Sequence, residues 1–457
     1  MIRVSLLSVA AVLAFAAGTA PSAFAKDGVY TSTTLGRNGD VTVQTTITNG
    51  RIADVKVLDW SETHPIADLP RVKVPADIVK NQSLGVDVVS GATLTSFAII
   101  NGVRDALKQA GLNPADFSKK IAPQPKLTDT VEETADIVII GAGGAGLSAA
   151  VTAAKAGKSI IVMEKTHYAG GNTSVAGGCY NAADPALEAK QEMSPQRRAS
   201  VDALLAEPVR SKLHGELIQK VKEQLAQYAA KGGKYLFDSV ELHALQSWKA
   251  GDYAGNLDLV YELAKGAPEM QKELAEMGFK WNSGTEQVVG ALWPRSNRAS
   301  NYKSGVGYID TFLNEIKIKH LPVTFIMNTA ASDILMKDGR AAGVIGTAEN
   351  GRTFKVLAKD GVILTTGGFS ANVDMRVHYD TILDKMNGKG VMTTNAPSIT
   401  GDGIKMAQKV GANLIDMGYI QLLPTTDPYT GATNHAVSLT TGIYLNTDGK
   451  PFVNELG

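Results

Sequence analysis

Between residues 28 and 60 the chain reads GVYTSTTLGRNGDVTVQTTITNGRIADVKVLDW, with apolar and polar positions alternating and β-branched residues abundant. A period of two, broken by Asn-Gly pairs, predicts antiparallel strands. Residues 94–110, LTSFAIINGVRDALKQA, instead space their apolar positions three and four apart and stop before Gly111. That spacing predicts a helix closed by a glycine. Together they outline a small α+β module over 26–114. Residues 115–134, ending in FSKKIAPQPKLTDTVEET, are polar, contain proline and have no period, so they read as a linker. From Ala135, ADIVIIGAGGAGLSAAVTAAKAGKSIIVMEK reads as strand, turn, helix, strand. Roughly 186–325 is helix-rich and charged, and GRTFKVLAKDGVILTTGGF returns to strand character. Apolar strands joined by a crossover helix imply an α/β, doubly wound domain.

The first residues, MIRVSLLSVAAVLAFAAGTAPSAFA, change the picture of where the protein works. Arg3 precedes an apolar run from Ser5 to Ala17, and Ala23-Phe24-Ala25 supplies small residues where a signal peptidase reads. The expectation is a signal peptide over 1–25, cleaved after Ala25, and a periplasmic mature protein. Apolar residues make up 44% of the 457 and charged residues 20%, ordinary values for chains with buried cores. Formal charge is zero, which gives no sign of a nucleic-acid partner. Cys179 is the single cysteine, so no intrachain disulfide forms and no Cys-x-x-Cys-His haem motif exists. The seven histidines are scattered, and no metal site is expected.

Candidate chemistry begins at Gly141, Gly143 and Gly146, a Gly-x-Gly-x-x-Gly run between the strand Asp136 to Ile140 and the helix from Ala145. The first glycine permits the tight turn, the second lets a pyrophosphate approach the backbone, and the third lets helix pack on strand. The helix N-terminus adds N–H donors and partial positive charge. A second strand ends at Glu164, 18 residues beyond Gly146, where a carboxylate suits ribose hydroxyls. These features predict a dinucleotide, NAD or FAD. The plainer alternative is a glycine-rich turn in a doubly wound sheet.

GAGGAGLSAAVTAAKAGKSIIVMEK followed by GGNTSVAGG (Gly170 to Gly178) resembles the FAD domain of the fumarate reductase/succinate dehydrogenase flavoproteins. So do AKDGVILTTGGFSAN, with Thr365 where alanine is usual, and TGDGIKMAQKVGA from Thr400. The resemblance favours FAD, bound non-covalently. It implies cofactor contacts at Gly141, Gly143, Ala145, Gly146, Glu164, Lys165, Gly171, Asn172, Thr173, Gly177, Gly178, Ala331, Thr366, Gly367, Gly368 and Asp402. It further implies an inserted α+β capping domain at 241–327 between FAD segments at 135–240 and 328–457. Arg295, Arg298 and Lys303 on the cap are candidates for holding a substrate carboxylate, since guanidinium donors suit a planar anion. A solvated basic surface is the alternative.

The run DVVSGATLTS, Asp87 to Ser96, resembles the acceptor motif of the FMN-binding domains of sodium-pumping quinone reductases. There a flavin transferase links FMN phosphate to the final threonine. The resemblance implies covalent FMN on Thr93, with Gly91 and Ala92 keeping the approach open, Ser90 in the motif, and Asp87 binding metal or orienting the hydroxyl. Thr95 is an alternative acceptor. Thr93 as a mere helix cap is the other reading.

An FMN domain joined to such an FAD domain resembles the exported urocanate reductases and related 2-enoate reductases. The implied reaction is hydride transfer from reduced FAD to a double bond conjugated to a carboxylate, with electrons arriving through FMN from a quinol-linked cytochrome. The family's usual proton donor is an arginine shortly after a Phe-x-Asn-Glu run. Here FVNELG ends at Gly457, so the donor is expected beyond it and the second FAD segment is expected to be incomplete. The family's Gln-x-His-Pro-Thr run is QLLPT, Gln421 to Thr425, with Leu423 at the histidine position. That argues against fumarate and for a monocarboxylate with an apolar or aromatic β-substituent. His435 is a weak candidate for substrate contact or proton relay. A non-catalytic FMN electron carrier, an inactive truncated reductase, a fumarate reductase and an enzyme running in the oxidative direction are the competing readings.

Overall fold

The computed structural model describes residues 26–122, 125–288, 291–382, 391–423, 443 and 445–451. Two compact units emerge, one of residues 1–62 with 67–122 and one of 63–66 with 123–457.

In the first unit, β1 (Gly28–Leu35), β2 (Asp40–Thr48) and β3 (Arg51–Trp60) form an antiparallel meander. Alternation along β2 turns Val41, Val43, Thr45 and Ile47 to the buried face. Asn49 and Gly50, at φ 51° and 68°, join β2 to β3. Two successive left-handed residues make the tight turn whose twist matches that of the strands. Helix α1 is Asp68–Asn81 and α2 is Thr93–Gln109. Ala98, Ile99, Val103, Ala106 and Leu107 of α2 are buried. A Cβ at Gly102 would lie 2.9 Å from the Val43 side chain, so that glycine lets α2 sit close on β2.

The second unit is organised on a six-stranded sheet. Its strands are β4 (Thr130–Ile140), β5 (Ile160–Met163), β8 (Val323–Ile326), β9 (Thr329–Lys337), β10 (Arg340–Ala348) and β11 (Thr353–Leu364). The order is β8-β5-β4-β11-β10-β9. The first four run parallel, and β10 is antiparallel to both of its neighbours, β11 and β9. Helix α3 (Gly144–Lys155) crosses from β4 to β5. The two-residue strands β6 (Tyr180–Asn181) and β7 (Ser296–Asn297) pair antiparallel. Short helices α4 (Gly171–Val175) and α5 (Pro185–Glu188) precede four longer ones: α6 (Pro195–Leu205), α7 (Lys212–Ala230), α8 (Val240–Ala250) and α9 (Leu257–Glu276). Helices α10 (Val306–Ile318), α11 (Val373–Tyr379) and α12 (Asp402–Lys409) follow.

Three boundaries read from the sequence shift. Residues 130–134 of the expected linker are strand, because β4 pairs with β11 from Thr130↔Thr353 onward. An edge at 240/241 for the cap cuts a single hydrophobic core. Val201, Leu205, Leu217, Val221 and Leu236 pack in one cluster with Leu242, Leu245, Trp248 and Trp293. At the other end, β8 lies inside the expected 241–327 cap yet pairs with β5 in the central sheet. Ile309, Phe312 and Ile316 of α10 likewise share a core with Leu147 and Val151 of α3.

Candidate functional site

The carboxyl ends of β4, β5 and β11 open into one cleft of about 280 Å³, floored by Ile140, Met163 and Leu364. In a doubly wound sheet the ligand crevice lies at these ends, where the strand order reverses about the first strand. Here that point lies between β4 and β11.

The glycine turn shapes one wall. Gly141 has φ +100°, and a Cβ there would meet Thr365 O at 2.6 Å. A Cβ at Gly146 would meet Gly141 O at 2.0 Å, so helix and turn interlock. Gly143 differs, since its nearest neighbour to an added Cβ is Gly170 O at 3.9 Å. The backbone at Gly143 thus faces open cleft, and as N-cap of α3 it carries no side-chain cap. Space beside the helix N-terminus fits a pyrophosphate. Glu164 is 9% exposed and accepts hydrogen bonds from Ala142 N, Thr166 N and Thr166 Oγ1, all at 2.8 Å. These bonds fix the carboxylate beside the glycine turn, with lone pairs left for hydroxyl donors.

Opposite, Lys165 Nζ donates to Thr400 Oγ1 at 2.8 Å and to Asp402 Oδ2 at 2.7 Å. Burial alone would raise the Asp402 carboxyl, but hydrogen bonds from Lys165 and Thr400 outweigh it and hold the group below its ordinary value. The segment after β5 enters through Asn172, whose Oδ1 accepts from Ala396 N at 2.8 Å, and Thr173, whose Oγ1 accepts from Gly144 N at 3.2 Å.

The structure therefore gathers Gly141, Gly143, Ala145, Glu164, Lys165, Gly171, Asn172, Thr173, Ala331, Thr366, Gly367 and Asp402 around one cleft. Gly146 sits behind it as a packing position. Gly368 O accepts from Gly401 N at 3.1 Å, tying the turn after β11 to the start of α12. Gly177 and Gly178 are not among its lining residues: their carbonyls accept from Arg298 Nη1 and from Tyr308 Oη, the latter at 2.9 Å. Sequence reasoning missed Thr329, Ser398 and Ile399, which also line the cleft. Only Thr400, first residue of the quoted Thr-Gly-Asp-Gly run, signalled that segment.

The cap arginines need correction. Arg295 is 4% exposed, and its Nε and Nη2 donate to Asp238 at 2.8 Å each. Nη2 also reaches Gln246 Oε1 at 2.5 Å. A buried guanidinium committed to a buried carboxylate ties the loop before α8 to the segment at Arg295, and its Nε and Nη2 are not free to clamp a substrate. Arg298 pairs with Glu286 and with Gly177 O, while Lys303 is exposed. Pro424 to Ser438 and Phe452 to Gly457 lie outside the described residues, so His435 is not placed.

The second candidate centre is the turn before α2. Ala92 N donates to Val89 O at 3.0 Å, and Gly91 takes φ +81°. A left-handed third residue closed by that bond is a type II turn, which is why glycine stands there. The helix cap is Ala92, with no side-chain capping bond, so Thr93 is the first helical residue and not the cap. Its side chain is exposed, as are Asp87, Ser90 and Gly91. Thr95 is 3% exposed and donates to Glu62 Oε2, which removes it as an alternative acceptor. Glu62 Oε1 accepts from Arg37 N at 2.8 Å and Asn38 N at 3.0 Å, tying the β1–β2 turn to the first turn of α2. An exposed hydroxyl on a rigid turn, beside uncapped helix N–H groups, fits a phosphate-linked group.

Comparison with known proteins places a flavin-binding domain model over each of the two regions. An FAD binding domain model matches residues 136–457, and an FMN-binding domain model matches 36–108. NADH:acrylate oxidoreductase of Vibrio harveyi is 35% identical over 448 residues, covering 94% of this chain and 44% of that protein. Urocanate reductase of Eggerthella lenta is 31% identical over 440 residues, covering 93% of this chain and 63% of that protein. This chain thus spans less than two thirds of the length of either relative. Among solved structures, the open conformation of a flavocytochrome c3 fumarate reductase superposes with TM-score 0.52 at 24% identity, over 71% of this chain and 49% of that one, which shows the shared fold. The chain belongs to the FAD-binding-domain family of fumarate-reductase-type flavoproteins, with an FMN-binding domain ahead of its FAD-binding domain.

Proposed function

We propose that the full-length protein reduces the carbon–carbon double bond of a monocarboxylic 2-enoate, with electrons entering through FMN esterified to Thr93 and leaving through FAD in the cleft. The observation that carries this reading is the presence of two differently built flavin centres in one chain. FAD supplies hydride chemistry and FMN supplies single-electron transfer when bound. The chain's own residues bind and orient. The Gly143 backbone and the α3 N-terminus face a pyrophosphate, Glu164 takes ribose hydroxyls, and Lys165 is held by Asp402 at the opposite wall. Thr93 offers its hydroxyl to a flavin transferase from a turn that Gly91 and Glu62 hold in place.

The substrate class is read from Leu423, which stands where the related reductases carry a histidine and offers no donor for a second carboxylate. An acid with one carboxylate and an apolar or aromatic β-substituent, or a small enoate, suits such a site better than fumarate. The acrylate and urocanate in the relatives' names point the same way. The signal-like first 25 residues support a periplasmic site of action, with a quinol-linked cytochrome and not NADH as donor.

The test is anaerobic oxidation of reduced viologen by the full-length protein loaded with both flavins. Acrylate, urocanate and cinnamate-like acids are offered against fumarate. Turnover with a monocarboxylate about tenfold or more above fumarate is expected, since a second carboxylate left without a hydrogen-bonding partner is costly to bury. No turnover with any enoate by the fully loaded protein would overturn the reductase reading. Fumarate as the fastest substrate would overturn the monocarboxylate assignment.

A further inference from the structure

Most of α2 behaves as a buried helix should, with Ala98, Ile99, Ile100, Val103, Ala106 and Leu107 turned into the core of the first unit. Its first turn and a half does not. Leu94 is 51% exposed and Phe97 49% exposed, whereas Thr95 and Ser96 between them are 3% and 0% exposed. The polarity is inverted: hydroxyls point inward and apolar side chains point outward. Both hydroxyls are satisfied inside, Thr95 on Glu62 and Ser96 on Ala92 O at 2.9 Å. This arrangement holds Leu94 and Phe97 outward.

The outward residues are Thr93, Leu94 and Phe97. Positions i and i+4 lie on one face, and i and i+3 are neighbours, so the three form one stripe. Helical Cβ atoms lean toward the N-terminus, which tilts Phe97 back toward the Thr93 hydroxyl. Four residues of helix rise by about 6 Å. A ribityl phosphate esterified at Thr93 is a chain of comparable length and carries a flat, largely apolar ring at its far end.

We propose that Leu94 and Phe97 are the seat on which the isoalloxazine ring of the flavin tethered at Thr93 rests, with Phe97 against its face. The proposal rests on the Thr93 reading above and adds what that reading leaves open, the contacts of the ring. It explains why an exposed phenylalanine and leucine flank the acceptor hydroxyl. Stacking on an aromatic face is favourable for a flat ring, and covering both side chains removes apolar surface from water.

The experiment uses the full chain matured with a flavin transferase. A fluorescent band on a denaturing gel, lost in Thr93→Val, reports attachment. The ring's surroundings are read separately on the folded protein by flavin emission, its quenching by iodide, and visible circular dichroism. Phe97→Trp should retain the band and lose several-fold in flavin emission, because an indole in contact with the ring quenches it. Val29→Trp, at a 60% exposed site on β1, should not. The double variant Leu94→Ala/Phe97→Ala should roughly double iodide quenching and weaken the visible dichroism. Equal emission in the two tryptophan variants, or unchanged quenching and dichroism in a fully attached double variant, would overturn the seat while leaving Thr93 standing. A wild-type protein without the fluorescent band would overturn the attachment and the seat with it.

Discussion

The FAD cleft and the FMN turn are built in opposite ways. The cleft draws on the ends of three strands, the starts of α3 and α12 and the segment after β5, residues spread from Ile140 to Met406. Its hold is the sum of many backbone and side-chain contacts around a glycine turn with no room for a Cβ at Gly141 or Gly146. The FMN turn is a single contiguous stretch that presents the exposed Thr93 hydroxyl, the proposed point of covalent attachment. Distributed contacts suit a cofactor that must sit at a fixed place relative to a substrate. A tether, as proposed at Thr93, suits a group held by few other contacts.

If that contrast holds, the two sites should break independently and to different degrees. The largest effect is expected from Thr93→Val, which should abolish covalent flavin and leave FAD content unchanged, as measured by acid-released against protein-bound flavin. Gly146→Ala should do the reverse. Its Cβ would lie 2.0 Å from Gly141 O, so the turn must move. FAD should be lost on gel filtration while the gel fluorescence of FMN persists, and overpacking should destabilise the second unit by about 1–3 kcal/mol in urea. Lys165→Met sharpens the comparison further, because it removes one contact among many. FAD retention should weaken by only about fivefold, the scale of one partly exposed charged hydrogen bond.

The smallest effect on either flavin is expected from a region outside both sites. Glu188 is fully buried, and burial followed by the nearby Asp238 carboxylate pushes its pKa up, to about 9. The folded protein therefore keeps a proton that the unfolded chain releases. Glu188's contribution is fully present below the ordinary value of 4.5 and is lost as pH rises toward about 9. Glu188→Gln should flatten this fall in urea stability between those pH values and change neither flavin content.

How much was legible follows the same contrast. The FMN turn is contiguous, so Asp87 to Thr93 could be read as a unit, and only the burial of Thr95 needed coordinates. The glycine turn and Glu164 were readable because their spacing follows from one strand-helix-strand unit. Thr329, Ser398 and Ile399 were not, since strand pairing and packing alone bring them to the cleft. Arg295 misled for the same reason. Its partner Asp238 is 57 positions away, and nothing local distinguishes a buried guanidinium from a free one. The cap edge at 241 failed because helical periodicity shows that a helix has a buried face but not which helices share it. β8 escaped notice because Val323–Ile326 is only four residues long and becomes a central-sheet strand only through β5.

The most direct test of two flavins held in two ways is to denature the matured full-length protein with acid and assay both fractions. The account predicts FAD alone in the supernatant, at one per chain, and FMN alone in the precipitate, on a peptide whose modified residue is Thr93. Flavin wholly in the supernatant, or an adduct on any other residue, would contradict it.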